Sequence, residues 1–149
     1  MKTFFHWLLC WIRFRPHFVI GVKDNPYMLR WWIFPRNKWF GVYLHKFLHD
    51  DDDRAMHDHP WYSISFVLWG SYIEHTPDGK KVYSPGSIIL RSALHRHRVE
   101  LINNRPVWTL FFTGWRVREW GFWCPQGFVL WRDFVAADNA GEIGKGCDQ

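Results

Sequence analysis

Two histidines, His57 and His59, stand in an acidic stretch that turns abruptly apolar, DDDDRAMHDHPWYS at residues 50–63. In an extended strand, residues two apart project from the same face, so both imidazoles of an H-x-H pair can reach one ion. Imidazole nitrogen is an ordinary ligand for zinc, iron and nickel. The spacing therefore favours half of a metal site over two polar residues in a solvated loop.

A further ligand is expected from HRHRVEL at residues 95–101. Alternation places the histidines of this stretch in phase with its apolar residues Val99 and Leu101, and the charged residues in the other phase. The apolar phase should face the interior, so we predict His97 as the third metal ligand. His95 shares the phase but lies nearer the preceding turn, and it remains the alternative.

The residues around the histidines suggest how the site is built. Ser63 and Ser65 share the face of His59, and their small size would leave space for water or a ligand. The alternate residues Tyr62, Ile64, Phe66 and Leu68 are expected to form ordinary core on the other face of the strand. The aspartates 51–53 are interpreted as part of a solvated acidic loop, and they and Asp58 are candidates for contacts with the ligating histidines.

These residues resemble the two motifs of the cupin superfamily, G-x5-H-x-H-x3,4-E-x6-G and G-x5-P-x-G-x2-H-x3-N. His57, His59 and Gly70 stand at the spacing of the first motif, and Gly86 and His97 at that of the second. Several consensus residues differ, because Asp51 and Ser63 replace the leading Gly and the Glu of the first motif, and Ser92, Leu94 and Leu101 replace Pro, Gly and Asn of the second. The resemblance covers residues 40–115, and it extends loosely to a group of uncharacterised small cupin-like proteins of bacteria and their phages.

The resemblance implies a divalent metal ion held by His57, His59 and His97, with Fe2+ as the first expectation and Zn2+, Ni2+ or Mn2+ as alternatives. Without the Glu, the site is similar to the three-histidine iron site of thiol dioxygenases and diketone-cleaving cupins. Three neutral ligands leave the charge of the ion uncompensated, which favours a small anionic substrate. Arg91 and Tyr72, expected near the mouth of the barrel, are the predicted catalytic residues, with Arg91 neutralising a substrate carboxylate.

The alternation along the chain predicts the elements that must position these side chains. Short aromatic and β-branched runs separated by turn residues begin at Leu29, which indicates an all-β fold, and the resemblance implies a double-stranded β-helix over residues 29–135. Residues 1–28 are predicted to form an N-terminal amphipathic segment with a short helix that ends before Pro16. Residues 136–149 lose the aromatic residues and gain glycine, so we expect a mobile tail.

Size and composition exclude several classes of protein. A chain of 149 residues with 48% hydrophobic residues is expected to form one globular domain. The apolar run from Phe4 to Ile12 is far shorter than the roughly 20 residues of a membrane-spanning helix, and no signal-peptide cleavage site follows it. The three cysteines are odd in number and widely separated, which predicts a reducing, cytoplasmic location and argues against a disulfide scaffold.

The charge is concentrated at the start of the chain. Residues 1–49 carry eight basic residues against one acid, a net charge of +7, whereas residues 50–149 carry eleven basic against thirteen acidic residues. We interpret the basic third as a solvated face and do not expect nucleic-acid binding, since no basic cluster follows a nucleic-acid motif.

Two alternatives to an enzyme remain: a non-catalytic ligand-binding cupin, such as a sensor or phage accessory protein, and an interaction module that uses the basic third. Exposed aromatic residues and sheet edges would also allow a homodimer.

Overall fold

The computed structural model describes residues 2–22, 24–51, 55–138 and 142–148, apart from the side chains of residues 2 and 3. It confirms the prediction of an all-β barrel preceded by a short helix. The elements in chain order are α1 (Lys2–Ile12), β1 (Phe18–Val22), β2 (Asn25–Trp32), β3 (Gly41–Phe47), β4 (Met56–His57), β5 (Ser63–Trp69), β6 (Tyr72–Thr76), β7 (Gly79–Tyr83), β8 (Ile88–Arg91), β9 (Arg98–Leu101), a 3-10 turn (Ile102–Asn104), β10 (Val107–Thr113), β11 (Gly121–Cys124), β12 (Gly127–Leu130) and α2 (Trp131–Phe134).

The barrel consists of one six-stranded sheet and two three-stranded sheets. The large sheet has the order β1-β2-β3-β10-β5-β8, and the small sheets have the orders β12-β11-β4 and β7-β6-β9. The small sheets are joined by an isolated antiparallel bridge between His57 and His97. The main chains of these two residues exchange hydrogen bonds, with N···O distances of 2.9 Å in both directions. Two predicted metal ligands therefore close the seam between the two small sheets.

Strand β10 shows how alternation in the sequence fixes the interior of the barrel. Its sequence VWTLFFT alternates regularly between buried and half-buried residues, and Val107, Thr109, Phe111 and Thr113 are the buried ones. It pairs with β3 on one side and β5 on the other, so it lies at the centre of the large sheet. Its buried residues Thr109 and Phe111 line the cavity beside the candidate site that is described below.

The prediction for the two faces of β5 is wrong in one respect. Ser63, Ser65 and Val67 face the interior, as expected of residues in phase with His59, but Tyr62, Ile64 and Leu68 are exposed rather than buried. The interior of the barrel takes only one face of each strand, and small residues occupy it here beside a cavity. The apolar outer face of β5 is thus surface, not core.

The two motif glycines of the resemblance lie in turns that need their conformations. Gly70, between β5 and β6, has φ of 78°, and Gly86, before β8, has φ of 90°. A side chain is disfavoured at positive φ, and a Cβ on Gly70 would also lie 2.6 Å from the carbonyl oxygen of Pro106. Both glycines therefore have a structural reason to occupy these positions.

Helix α1 packs on the large sheet through one face. The indole nitrogens of Trp7 and Trp11, one turn apart, both donate to the carbonyl oxygen of Trp32 at 2.8 Å. The helix ends before Pro16, as predicted, but the sheet then begins at Phe18, well before the predicted start at Leu29. Within the described residues, no helix has both the length and the apolarity that a membrane crossing requires.

A disulfide between Cys124 and Cys147 fastens the carboxyl-terminal segment to the barrel, and this segment is defined as α2 and the described residues that follow it (131–138 and 142–148). The expectation that the chain has no disulfide is therefore wrong, and the cysteine argument for a reducing, cytoplasmic location loses its support. The two cysteines are 23 residues apart in sequence, and only the return of the chain through β12 and α2 brings them together. Residues 136–149 were expected to be mobile, yet the amides of Gly144 and Gly146 donate to the carbonyl oxygen of Phe134.

The substitution Cys147→Ser tests this attachment. Loss of a cross-link that closes a loop of this length should lower the free energy of unfolding by about 2–4 kcal/mol, because the unfolded chain gains conformational entropy. Urea denaturation monitored by tryptophan fluorescence measures the change. Adding a reductant to the wild-type protein should give the same loss and should leave the variant unchanged. A wild-type protein whose unfolding is insensitive to the reductant would contradict the disulfide.

Candidate metal site

The structure brings the three predicted ligands together at the seam between the small sheets. His57 is the last residue of β4, His59 follows in the loop to β5, and His97 immediately precedes β9. One ring nitrogen from each lies within 4.8 Å of the others. The ring centroids are 4.7 Å apart for His57 and His97, and 5.1 Å apart for His59 and each of the other two. Three imidazoles that converge at these distances can share one ion after small side-chain adjustments.

Asp58 separates the H-x-H pair and holds this loop in place from the other face. Its buried carboxylate accepts hydrogen bonds from the main-chain nitrogen of Gly121 at 3.0 Å and the indole nitrogen of Trp123 at 3.1 Å. Arg118 completes the group with an ion pair at 2.8 Å. Alternation had placed Asp58 out of phase with the two histidines, and the structure confirms that placement. Asp58 is therefore a positioning residue for the loop that carries His57 and His59.

The surroundings of Nδ1 in His57 and His97 bear on which nitrogen of each ring could bind a metal. Nδ1 of His57 is buried, makes no hydrogen bond to any described residue and lies 3.8 Å from a carboxylate oxygen of Asp51. Nδ1 of His97 faces the carbonyl oxygen of His95 at 3.4 Å. An acceptor beside Nδ1 favours the tautomer protonated there and leaves Nε2 with the lone pair that a metal needs. This arrangement fits a metal ion.

Asp51 departs from the expectation of a solvated acidic loop. It is buried, and its carboxylate accepts a hydrogen bond from the main-chain nitrogen of Val99 at 2.7 Å. The neighbouring Asp50 accepts from the main-chain nitrogen of Leu101 at 2.5 Å. The two aspartates therefore pair with strand β9 as a strand edge would, which brings Asp51 beside His57. Residues 52–54 lie outside the described residues.

Burial lowers the pKa of the site histidines. The pKa of His59 and that of His97 lie well below the ordinary value of 6.5, first because of burial and then because of the positive charge that His57 would carry beside them. Both imidazoles are therefore neutral at pH 7, which is the form that binds a metal. A site of three neutral ligands would hold an ion without compensating its charge.

The site opens into a cavity of about 200 Å³, here called the site cavity. The three histidines form part of its lining, and Arg91 and Tyr72, the two predicted catalytic residues, line it as well. Most of the remaining lining is apolar, and part of it comes from β11, from the residue before β11 and from the carboxyl-terminal segment: Trp120, Phe122, Phe134, Val135 and Ile143. The cavity is therefore small, and its lining combines apolar side chains with ionisable ones, which include the carboxylates of Asp51 and Glu142.

Arg91 does not reach the cavity as a free cation. Its Nε donates to a carboxylate oxygen of Glu74 at 2.7 Å, and a terminal nitrogen donates to the hydroxyl of Tyr72 at 2.9 Å. Burial acts to lower the pKa of Arg91, but the interactions with Tyr72 and Glu74 outweigh burial and raise it. The charge of Arg91 is thus balanced by Glu74, a buried residue that the sequence did not single out.

Glu74 also belongs to a second group that could hold an ion. Ligand atoms of Glu74, His95 and His97 lie within 4.8 Å of one another, so the two groups share His97. The other carboxylate oxygen of Glu74 lies 3.5 Å from Nε2 of His95. The positively charged guanidinium of Arg91 is hydrogen-bonded to this carboxylate and would repel a metal ion bound to Glu74. This repulsion favours the three-histidine group as the metal site. His95, the alternative third ligand, is thus near the site but paired with a different residue.

Two further residues of the site cavity, Arg30 and His45, were not predicted as site residues. Nε of Arg30 donates to Nε2 of His45 at 2.8 Å, and His45 is almost fully buried. The sequence had suggested a surface or satisfied core position for His45, and the structure shows the latter. The sequence did contain a signal for Arg30. In the apolar run MLRWW, Arg30 is the single charged residue and lies on the same face of the strand as Met28, and a charge on an inward face is uncommon.

Comparison with solved structures identifies the fold. The chain is similar to a cupin superfamily protein from Desulfitobacterium hafniense DCB-2, with 14% identity, a TM-score of 0.50, and coverage of 59% of this chain and 77% of that chain. It is similar to a candidate mannose-6-phosphate isomerase from Ralstonia eutropha JMP134, with 18% identity, a TM-score of 0.54, and coverage of 64% and 89%. It is also similar to FeII HppE, with 16% identity, a TM-score of 0.53, and coverage of 64% and 54%. No family model and no curated protein matches the sequence.

The buried histidines predict how the stability of the metal-free protein depends on pH. His45, His59 and His97 all have a lowered pKa in the folded state, so the unfolded chain binds protons more readily. Their contribution to the free energy of unfolding is present above pH 6.5 and is lost as the pH falls from 6.5 through the lowered pKa values. Urea denaturation of metal-free protein between pH of about 7.5 and about 5 measures this dependence. His59→Gln should flatten it and the exposed His49→Gln should not, whereas a wild-type profile that is flat below pH 6.5 would contradict the burial.

Proposed function

Since the chain has the fold of the cupin superfamily, we propose that it is a mononuclear metal-binding cupin whose ion is held by His57, His59 and His97. One observation carries the proposal: ring nitrogens of these three residues converge within 4.8 Å at the edge of a buried cavity. The lowered pKa of His59 and His97 supports it, since a neutral imidazole is the ligand form. Fe2+ is the first candidate, with Zn2+, Ni2+ and Mn2+ as alternatives.

The reaction that we propose is an oxygenase-like conversion of a small anionic molecule. When bound, a divalent ion with three protein ligands supplies Lewis-acid or redox chemistry to a molecule in the cavity. Dioxygenation would place both atoms of one O2 in the product and would need no external reductant. The structural neighbour HppE is named with FeII, but its likeness to this chain is one of fold at 16% identity. The reaction class is therefore drawn from the three-histidine donor set.

The residues around the histidines have distinct tasks in this proposal. Trp120, Phe122 and Phe134 give the cavity apolar sides and exclude water from a bound ligand. Arg91 and Tyr72, which are hydrogen-bonded to each other, present polar groups to the cavity. Because Glu74 balances the charge of Arg91, this pair would orient a ligand through hydrogen bonds rather than supply a free positive charge.

The first expected outcome concerns metal content. After reconstitution, wild-type protein should hold close to one divalent ion per chain, and His57→Ala, His59→Ala and His97→Ala should each abolish binding, because two imidazoles form a poor site. Elemental analysis of the purified variants measures this. The exposed His49 supplies the matched control, and His49→Ala should keep the wild-type metal content.

The same measurement separates the two groups that share His97. If the ion lies among the three histidines, Glu74→Gln and His95→Ala should retain metal while His57→Ala loses it. The opposite pattern would move the ion to the group of Glu74, His95 and His97. A wild-type protein without metal after reconstitution would contradict both arrangements.

The second expected outcome concerns activity. Iron-loaded protein should consume O2 with a small anionic thiol or a diketone from a chemically varied panel, with one O2 taken up per molecule converted. An oxygen electrode and mass spectrometry of the product measure this. His57→Ala should reduce consumption to background, and His49→Ala should not. Metal binding without turnover across the panel would leave the non-catalytic ligand-binding cupin as the function.

A further inference from the structure

We propose that Arg30 forms an anion-binding subsite of the site cavity and binds the carboxylate or a similar planar oxyanion of the ligand. The subsite consists of the Arg30 guanidinium, oriented by His45 and Tyr43 on the large sheet. The anionic ligand class rests on the proposed function, whereas the subsite rests on the contacts of Arg30 itself. It differs from the expectation that Arg91 would neutralise the ligand.

The guanidinium of Arg30 is fixed by neutral groups. Its Nε donates to Nε2 of His45 at 2.8 Å, and its central carbon lies 4.9 Å from the ring centroid of Tyr43. His45 is in turn stacked on Tyr43 at 5.7 Å and packed against Phe111 at 5.1 Å. Since Arg30 supplies the proton of this hydrogen bond, His45 must be neutral and protonated at Nδ1. A neutral acceptor orients Arg30 without cancelling its charge.

The charge of Arg30 has no acidic partner among the residues that the structure describes. Other arginines of this chain are paired with carboxylates: Arg91 with Glu74, Arg118 with Asp58, Arg116 and Arg132 with Glu119, and Arg98 with Glu100. A guanidinium stays charged in a protein, and an uncompensated charge away from water is costly. The described acids that line the same cavity are Asp51, which accepts a hydrogen bond from the main chain of Val99, and Glu142, and the ion pairs of the described residues include none between Arg30 and an acid. An incoming anion can therefore pair directly with Arg30.

Arg30 also lies where an anion could arrive. It lines the site cavity, and it also lines a second cavity of about 240 Å³. The described lining of the second cavity has no acid and three more cations, Arg36, Lys38 and Arg116, of which Arg116 is paired with Glu119 outside the lining. No other described residue lines both cavities. A cluster of one sign of charge attracts counter-ions and raises their local concentration. The second cavity would therefore direct anions toward Arg30.

The geometry limits the ligand to a small molecule with one planar anionic group. Guanidinium donors match the two oxygens of a carboxylate, which favours that group over a spherical ion. The site cavity, at about 200 Å³, is smaller than the roughly 300–1,000 Å³ of sites for drug-sized ligands. A short-chain carboxylic acid, held at Arg30 and reaching toward the histidines, fits both limits.

The test compares propionate with the uncharged propionamide as probes. Each is titrated into isotope-labelled wild-type protein, with and without zinc, and the NMR signals of the arginine Nε groups are followed. Propionate should shift the Arg30 Nε signal and bind about tenfold or more tightly than to Arg30→Met, because a hydrogen bond to a charged group is lost. Arg30→Lys should bind with intermediate affinity, and the exposed Arg105→Met should bind like wild type.

The outcomes separate this proposal from the metal proposal. Binding of propionate to metal-free wild-type protein with a shift of the Arg30 signal supports the subsite whether or not the histidines hold an ion. Equal affinities in wild type and Arg30→Met, or propionamide binding as well as propionate, would overturn it. If Arg30→Met does not fold, the wild-type titration decides, and a propionate shift confined to Arg91 overturns the proposal.

Discussion

The structure depends on one pair of hydrogen bonds, the exchange between the main chains of His57 and His97. This bridge joins the two three-stranded sheets, so that their strands form one side of the barrel. The side chains of the same two residues converge with His59. The geometry of the candidate site is therefore set by sheet pairing rather than by a flexible loop, which is the arrangement that preorganised sites require. Asp51 and Asp58 extend this control, because each uses a buried carboxylate to hold a neighbouring strand in register with the histidine segment.

Charge is distributed unevenly around the site cavity. The cluster of Arg91, Glu74 and Tyr72 satisfies itself, whereas Arg30 is oriented only by neutral groups. Burial lowers the pKa of His59 and of His97, so these two residues add no positive charge of their own at pH 7. Asp51 and Glu142 also line the cavity, so discrimination by charge is confined to the side of Arg30, where an anion would be attracted and a cation repelled.

Much of the site was predictable from the sequence because its signals are local. The H-x-H spacing and the phase of His97 with Val99 and Leu101 follow from strand geometry, whereas the glycines at 70 and 86 were identified by the resemblance to the cupin motifs. What could not be predicted depends on contacts between distant segments. Glu74 on β6 meets Arg91 on β8, a strand of a different sheet, Arg30 meets His45 only through the pairing of β2 with β3, and Cys147 meets Cys124 only after the chain has turned back. The burial of the two faces of β5 was misjudged for the same reason: alternation defines two faces but does not say which one meets the interior, and small polar residues marked the inner face here.

The attachment of the carboxyl-terminal segment has a consequence for ligand exchange. Phe134, Val135 and Ile143 of this segment line the site cavity, and the bond between Cys124 and Cys147 limits how far they can move. A molecule in the cavity and the order of this segment are therefore thermodynamically linked: whatever stabilises one stabilises the other by the same free energy. The disulfide favours the ordered state of this segment before any ligand binds. It removes conformational entropy that a ligand would otherwise have to remove on binding. With the bond intact, association should resemble entry into a preformed space, and with the bond reduced it should include the cost of folding this segment back onto the barrel.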